Sequence, residues 1–322
     1  MPEISVIIPV YNEEKNILLL YKRVTEVLQK LDADCELIFV NDGSRDKSLE
    51  VIYSLAKSDL RVKYIDFSRN FGHQIAVTAG LDKCTGNYTV IIDADLQDPP
   101  ELIIDLYKKA KEGFEVVYAK RKSRKGESFL KKLTAHIFYR LLAKITSCEI
   151  PVDTGDFRII SRKVLEILKN MPEQQKYLRG QIAWIGFNQT YVEYERDERH
   201  SGKTGYTYRK MLKFAFDGIT SFSNFPLKVA SIAGFAVSGI AFVIMLYALY
   251  SRFITGNYVP GWTSLILSVI FMGGIQLICI GIIGEYISRI ANNVRDRPLY
   301  IINNTNLTDS EVESLKQLIS ER

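Results

Sequence analysis

The segment Ile4–Val10 has the sequence ISVIIPV, a short β-branched run typical of a strand that is buried on both faces. Apolar residues then recur at helical spacing over residues 16–31, and a second strand pattern covers residues 36–40. The same alternation predicts a helix to about Ser58, a strand over 62–67, a helix over 74–84, a strand over 88–93, a helix from Pro99, and a strand over 115–119. Such alternation predicts an α/β fold with a mostly parallel sheet covered by helices on both faces.

Composition narrows the class of protein. The 322 residues suffice for one α/β domain and a smaller part, and the net charge of +5 is too mild to indicate nucleic-acid binding. We expect buried free thiols, because the cysteines lie far apart without metal-type spacing; they are Cys35, Cys84, Cys148 and Cys279. Residues 1–3 lead directly into the first strand pattern without a secretory signal, so we expect a cytoplasmic N-terminal domain.

Two uncharged apolar runs lie towards the C-terminus, at residues 229–250 and 262–284, and each is long enough to cross a bilayer. A turn-rich connection with the single charge Arg252 joins them, and basic residues flank the pair on its outer sides. The positive-inside rule then predicts a two-helix transmembrane hairpin in the cell (inner) membrane, with both termini cytoplasmic. The alternative is a pair of buried helices in a soluble domain.

The expected organisation follows from these runs. We predict a cytoplasmic catalytic domain over 1–204, with an amphipathic helix near 129–145, and an amphipathic interfacial helix over 205–225. The membrane hairpin would cover 226–290, and a cytoplasmic tail would cover 291–322.

The strongest local signal is the acidic segment 93–98, DADLQD, at the end of an apolar strand pattern. In an extended segment Asp93 and Asp95 would project together, with Gln97 next in line. Two parallel carboxylates repel unless a cation joins them, and Mg²⁺ or Mn²⁺ shared with diphosphate oxygens meets that need. The alternative is an acidic turn that caps the next helix, a role that we expect of Asp98.

Polar residues follow the first two predicted strands, with Tyr11 and Glu13 after one and Asp42 after the other. Taken singly, each segment could be an ordinary turn. Together they place a ring and carboxylates at adjacent strand ends, where ligands bind in parallel sheets. A ring can stack on a base, and a carboxylate can accept from a base N–H or a ribose hydroxyl. No glycine-rich phosphate loop occurs, so metal and basic side chains would have to hold a diphosphate.

Basic residues form a run at 120–125, KRKSRK, directly after a predicted strand. The amphipathic pattern at 129–145 follows it. This combination suits a domain that lies on anionic lipid, with Arg121 and Lys122 as candidate ligands of a lipid phosphate. A solvated charged loop is the alternative.

Five segments together resemble family-2 glycosyltransferases with the GT-A fold, which is Rossmann-like with a mostly parallel sheet. They are residues 5–14 (SVIIPVYNEE), 40–44 (VNDGS), 67–72 (FSRNFG), 93–98 (DADLQD) and 153–158 (DTGDFR). The segments are most similar to the polyprenyl-phosphate branch, which includes dolichol-phosphate mannose synthases and bacterial bactoprenol glucosyltransferases. The C-terminal apolar pair matches the bacterial members.

The resemblance implies roles for particular residues. Asp93, Asp95 and Gln97 would manage the metal and the diphosphate, and Asp95 and Asp156 would lie at the reacting centre. The resemblance assigns the nucleotide to Pro9, Tyr11, Glu13, Val40, Asp42, Asp93 and Ala94. Family members often continue an Arg into Gly-x-Ser-Lys, whereas residues 199–205 here are RHSGKTG, so Arg199 matches the pattern and Lys203 is shifted.

The expected reaction is transfer of a hexose, with UDP-glucose as first choice, to polyprenyl (undecaprenyl) phosphate with inversion, in the synthesis of a cell-envelope glycan. A phosphate monoester has a second pKa of about 6, so this acceptor needs no strong general base, and Asp156 could orient rather than take a proton. The expected partners are the sugar nucleotide, the lipid and the bilayer; a homo-oligomer, a flippase or a downstream glycosyltransferase stay open.

Alternatives differ in donor or in class. GDP-mannose or a UDP-amino sugar could replace UDP-glucose. A processive polysaccharide synthase would need more spans and a Gln-x-x-Arg-Trp motif, which the chain lacks. A catalytically inactive membrane scaffold or sugar-nucleotide sensor is the alternative outside enzymes.

Overall fold

The computed structural model describes residues 1–122, 154–195, 225–250, 254, 262–295 and 297–307. These residues belong to two compact units. One unit combines the N-terminal region with the segment that begins at Arg297, and the other contains the two long C-terminal helices.

The first unit is built on a mixed sheet. Its strands are β1 (Ile4–Val10), β2 (Cys35–Asn41), β3 (Val62–Phe67), β4 (Tyr88–Ile91), β5 (Val116–Arg121), β6 (Thr154–Ser161), β7 (Gln189–Tyr194) and β8 (Ile302–Thr305). Their spatial order is β7-β5-β6-β4-β1-β2-β3-β8. The pairs β1–β2, β1–β4, β2–β3 and β5–β7 are parallel, whereas β4–β6, β5–β6 and β3–β8 are antiparallel. The predicted α/β fold is confirmed. The four strands β1, β2, β3 and β4 are parallel to one another, as predicted, whereas the antiparallel strands β6 and β8 make the sheet mixed.

Helices cover both faces of this sheet. They are α1 (Ile17–Lys30), α2 (Ser48–Ser58), α3 (His73–Lys83), α4 (Ile103–Lys111) after a 3-10 turn at Pro100–Leu102, α5 (Arg162–Lys169) and α6 (Leu178–Ile185). Strand β1 shows why two layers are needed: Val6 and Ile8 belong to one core cluster and Ile7 to the other. Side chains that alternate between two apolar faces require cover on both.

Helix α3 packs unusually close to β1. A Cβ atom on Gly80 would lie 2.4 Å from Cγ2 of Ile7, so only glycine allows this approach. Helix α3 connects β3 to β4. Its first residue, His73, therefore lies at the edge of the sheet where the parallel strands β1 and β4 end.

The segment after β4 differs from the sequence prediction. The strand ends at Ile91 rather than at Asp93, and the chain turns instead of staying extended. Leu96 has a φ of 58°, and the Gln97 N–H donates to Oδ1 of Asp95 at 3.2 Å. The prediction that Asp93, Asp95 and Gln97 share one face of an extended strand is therefore wrong, because a side-chain-stabilised turn replaces the two-residue period.

The second unit contains α7 (Phe225–Tyr250) and α8 (Trp262–Val294). Sγ of Cys279 lies 3.7 Å from the carbonyl oxygen of Ala230, so the two helices touch. Within the part of the chain that the structure describes, one stretch, Phe271–Val294, is long and apolar enough to cross a membrane by length and composition. The two-helix hairpin therefore stays a prediction. The predicted amphipathic helix near 129–145, and the predicted interfacial helix before Phe225, lie outside the described residues.

The C-terminal tail contributes a strand to the sheet of the first unit. Its residues 302–305 form β8, which pairs antiparallel with β3 and stands last in the strand order. The sequence analysis did not predict this strand.

Candidate active site

Three titratable side chains meet beyond the end of β4. Asp93 follows that strand, Asp156 lies on the neighbouring β6, and His73 begins α3. Nε2 of His73 is 3.1 Å from Oδ2 of Asp156 and 3.5 Å from Oδ1 of Asp93. The histidine thus joins two carboxylates that come from separate elements.

Two arginines hold Asp156 from the other side. Nε of Arg179 donates to Oδ1 of Asp156 at 2.9 Å, and Nη2 of Arg158 donates to the same oxygen at 3.2 Å. Arg158 is fully buried and also donates to the carbonyl oxygens of Gly155 and Asp156. Burial raises the pKa of Asp156, but Arg179 and His73 hold that pKa well below its ordinary value. Asp156 is therefore an ionised, fully engaged carboxylate and a weak base.

The pKa values of Asp93 and His73 are both raised. Burial, together with the negative charges of Asp156, Asp98 and Asp95, raises the pKa of Asp93 to about 6 despite the opposing effect of His73. Burial lowers the pKa of His73, but Asp93 and Asp156 outweigh it and raise that pKa to about 9. At neutral pH His73 is therefore a cation between the carboxyl groups of Asp93 and Asp156. The negative charges that act on Asp93, those of Asp156, Asp98 and Asp95, outnumber the positive charge of His73.

The donor atoms near Asp95 suit a divalent cation. Within the described ranges, no three His, Cys, Asp or Glu side chains form a complete metal cluster. A magnesium or manganese ion that is shared with a diphosphate needs only one or two protein carboxylates, because phosphate oxygens and water complete its coordination. Asp95 is a partly buried carboxylate, and Asp93 and Asp98 add negative charge close by. The residues present therefore fit such an ion, and Asp95 is the carboxylate that would bind it.

The loops after β1 and β2 are joined by hydrogen bonds. The Asn12 N–H donates to Oγ of Ser44 at 3.0 Å, and the Arg45 N–H donates to Oδ1 of Asn12 at 2.8 Å. Pro9 and Val40 stand opposite each other in the register of these two strands. The Tyr11 side chain is 45% exposed, which leaves its ring accessible for stacking.

The two acidic residues of these loops have partners within the chain. Oε2 of Glu13 accepts the Asn16 amide at 2.6 Å. Asp42 is buried, and its carboxylate accepts the Phe71 N–H at 2.7 Å and the Gly72 N–H at 3.0 Å. Burial raises the pKa of Asp42. Asp42 thus holds the segment after β3 against the end of β2, a structural contact that the sequence analysis did not foresee.

A glycine makes the approach of that segment possible. Gly43 has a φ of +65°, and a Cβ atom there would lie 2.6 Å from backbone atoms of Arg69 and Asn70. Any larger residue would push residues 69–70 away from the end of β2.

The basic residues expected to bind phosphate differ in their surroundings. Nε of Arg121 donates to the Tyr194 hydroxyl at 3.3 Å, and Nη2 lies 3.7 Å from the buried Asp98. Tyr194 also donates to Asp98. Lys122 is exposed at the end of β5. Arg199 and Lys203 lie outside the described residues. The expectation that Asp98 caps the next helix is wrong, because the 3-10 turn has no side-chain cap, and Tyr194 binds this carboxylate instead.

Sequence reasoning missed three members of the site: His73, Arg158 and Arg179. His73 directly follows the FSRNFG segment, and Arg158 ends the DTGDFR segment, so position next to a motif was an available signal. Arg179 lies in no motif that the sequence analysis used.

Comparisons with known proteins show the family to which the chain belongs. The family model for glycosyl transferase family 2 matches residues 5–168. An uncharacterized glycosyltransferase, YkcC of Bacillus subtilis (strain 168), is 53% identical over 298 residues, 92% of each chain. A prophage bactoprenol glucosyl transferase homolog of Escherichia coli (strain K12) is 43% identical over 93% of this chain and 98% of its own. The bactoprenol glucosyl transferase of Shigella phage SfV is 42% identical over 94% and 98%. The chain therefore belongs to glycosyl transferase family 2, and it is a glycosyltransferase.

Proposed function

We propose that this enzyme transfers a hexose from a sugar nucleotide, with UDP-glucose as first choice, to polyprenyl phosphate and so forms a lipid-linked monosaccharide. The observation that carries the acceptor class is the saturation of Asp156 by Arg158, Arg179 and His73. A carboxylate held by three cationic groups cannot easily take a proton from a sugar hydroxyl. A phosphate monoester is mostly a dianion at pH 7 and needs no such base. Relatives named bactoprenol glucosyl transferases at 42–43% identity support the same acceptor.

On the donor side, the loops after β1 and β2 would hold the nucleotide. The accessible ring of Tyr11 would stack on the base, and Asp42 would act through the loop that it anchors. Asp95, with Asp93 and Gln97 nearby, would hold Mg²⁺ or Mn²⁺. The ion would supply positive charge for the departing nucleoside diphosphate. Direct displacement in one step would invert the anomeric centre.

In this arrangement His73 and Asp156 orient rather than react. His73 neutralises part of the repulsion between Asp93 and Asp156, because its Nε2 lies within 3.5 Å of a carboxylate oxygen of each. The fixed pair would define one wall of the space where the sugar and the acceptor phosphate meet, and preorganised charges of this kind need no rearrangement during the reaction.

On the acceptor side, exposed Lys122 and the basic run after it would bind the lipid phosphate, together with Arg199 and Lys203. The exposed apolar stretch Phe271–Val294 supports attachment to a bilayer. We further propose a two-helix hairpin in the inner membrane, with both termini in the cytoplasm, and a cytoplasmic catalytic domain over 1–204 to which the tail adds strand β8.

The test uses the full chain in lipid or detergent with polyprenyl phosphate and radiolabelled UDP-glucose, UDP-N-acetylglucosamine and GDP-mannose in turn. We expect one solvent-extractable, lipid-linked monosaccharide with UDP-glucose, absent when the lipid is omitted. Preference for another donor would change the sugar and keep the acceptor. A polymer would indicate a processive synthase, and nucleotide binding without any product would indicate a sensor or scaffold.

A further inference from the structure

The C-terminal strand β8 is attached to β3 by more than strand pairing. The Ser68 N–H donates to the Ile301 carbonyl at 3.0 Å, and the Tyr64 N–H donates to Oδ1 of Asn306 at 2.8 Å. The Thr305 hydroxyl donates to the Tyr64 carbonyl at 2.7 Å. These bonds fix the register of the tail along β3.

Aromatic contacts attach the residue before the strand. The Tyr300 ring stacks on Phe67 at 5.1 Å between centroids, and its hydroxyl donates to Oδ2 of Asp82 at 3.0 Å. Phe67 in turn contacts Phe71 edge to face at 5.5 Å. The Phe71 N–H is one of the two donors that bind Asp42. The tail therefore supports the segment that Asp42 holds at the end of β2.

A second line of contacts is polar. Nδ2 of Asn303 donates to Oδ2 of Asp66 at 2.8 Å, and Nδ2 of Asn41 donates to Oδ1 of the same carboxylate at 2.7 Å. Asp66 and Asn41 are both buried at the ends of β3 and β2. One carboxylate thus joins the tail to the last residue of β2.

The line continues into the loops that carry the expected nucleotide ligands. Oδ1 of Asn41 accepts the Ser44 N–H at 3.3 Å, and Oγ of Ser44 accepts the Asn12 N–H at 3.0 Å. Asn12 lies between Tyr11 and Glu13. A chain of hydrogen bonds therefore leads from Asn303 of the tail, through the residues Asp66, Asn41 and Ser44, to the backbone of Asn12.

We propose that the C-terminal tail contributes Asn303 to the donor site, as a positioning residue for the nucleoside diphosphate. Asn303 would act through Asp66 and Asn41 on the loops after β1 and β2. The inference rests on the proposed function, in which those loops hold the nucleotide.

The test compares Asn303→Ala with Asn304→Ala in the full chain. Asn304 is the matched control, because its side-chain amide donates at 3.2 Å to the Tyr53 hydroxyl at an exposed position, whereas its pairing with Asp66 in the strand register involves the backbone, which the substitution keeps. The measurements are the affinity for UDP in the presence of Mn²⁺ by titration calorimetry, the KM values for sugar nucleotide and for polyprenyl phosphate, and the thermal midpoint.

We expect Asn303→Ala to weaken UDP binding and to raise the donor KM by about three- to tenfold, as for the loss of one hydrogen bond of ordinary net strength, with the lipid KM unchanged. Asn304→Ala should change neither KM. The exchanged pair Asn303→Asp with Asp66→Asn restores one donor and one acceptor, and it should recover donor binding to within about twofold of the wild type.

Equal effects of the two alanine variants, or a parallel rise in both KM values, would mean that the tail only stabilises the fold. Either result would overturn the inference. If Asn303→Ala is not recovered folded, Asn303→Ser, which is too short to reach Asp66, takes its place under the same criteria. A wild-type enzyme that binds no UDP would overturn the proposed donor site itself. Normal wild-type binding with an unaffected Asn303→Ala variant would overturn this inference alone.

Discussion

The loops after β1, β2 and β4 carry most of the expected ligands, whereas the antiparallel strands β6 and β8 each carry a side chain that links elements distant in sequence. Asp95 and Tyr11 belong to the first group, and both leave atoms accessible. Asp156 and Asn303 belong to the second, and their polar atoms bind other parts of the protein. Under the proposed function, the first group would bind the substrates and the second would position the residues around them, so the two tasks would come from different parts of the sheet.

The largest expected effect concerns the proposed metal ligand. Asp95→Ala should lower turnover by at least about a thousandfold, because the cation would lose its first carboxylate. Since Asp95 is only partly buried, the thermal midpoint should stay close to that of the wild type. Activity is measured with radiolabelled donor, and unfolding by calorimetry.

Chelation provides the companion measurement for the same ion. Excess EDTA should abolish wild-type activity, and added Mn²⁺ or Mg²⁺ should restore it. Full activity in excess EDTA would remove the ion from the mechanism.

Asp156→Asn should lower both activity and stability, whereas Asp95→Ala should lower activity alone. The Asp156→Asn change keeps the shape of the side chain but leaves the buried Arg158 without its charged partner. We expect about a hundredfold loss of activity and a loss of roughly 2–4 kcal/mol in the free energy of unfolding.

The matched control for Asp156 is Glu166→Gln, which removes a carboxylate from the exposed ion pair with Arg162 on α5. It should change neither property measurably. An Asp156→Asn enzyme that stays as stable as Glu166→Gln would contradict a positioning role.

Variants of His73 test its role between Asp93 and Asp156. His73→Ala removes the cation between Asp93 and Asp156, so the two carboxylates would repel each other. We expect kcat to fall by about ten- to a hundredfold with little change in donor KM. His73→Gln keeps hydrogen-bonding capacity without the charge. Its activity should resemble that of the alanine variant; recovery towards wild type would mean that the hydrogen bond matters and the charge does not.

The smallest expected effect concerns the acceptor phosphate. Lys122→Ala should raise the KM for polyprenyl phosphate about two- to fivefold, and less at high salt, because the side chain is exposed. Lys108→Ala removes an equal charge from the exposed face of α4 and serves as the control. A rise in donor KM instead would assign the basic run to the sugar nucleotide.

Much of the parallel half of the sheet was predictable, because each of its signals is local. The β-branched apolar run of β1 and the polar turn after β2 lie within a few residues of the features that they predict. The motif around Asp93 placed the acidic residues correctly at a strand end, but the turn at Leu96 changed their relative directions. A left-handed residue that is not glycine leaves no reliable signal in a single sequence.

The sequence by itself determined the order of strands and helices through β5 and the loops where ligand residues would lie. Only the tertiary structure decided which charges surround them. His73 and Asp156 are 83 residues apart, and Asn303 and Asp66 are 237 apart. Such pairs exist because β6 pairs with β4 and because β8 pairs with β3. Strand order depends on how the whole chain buries its apolar surface, and no periodicity within one segment encodes it.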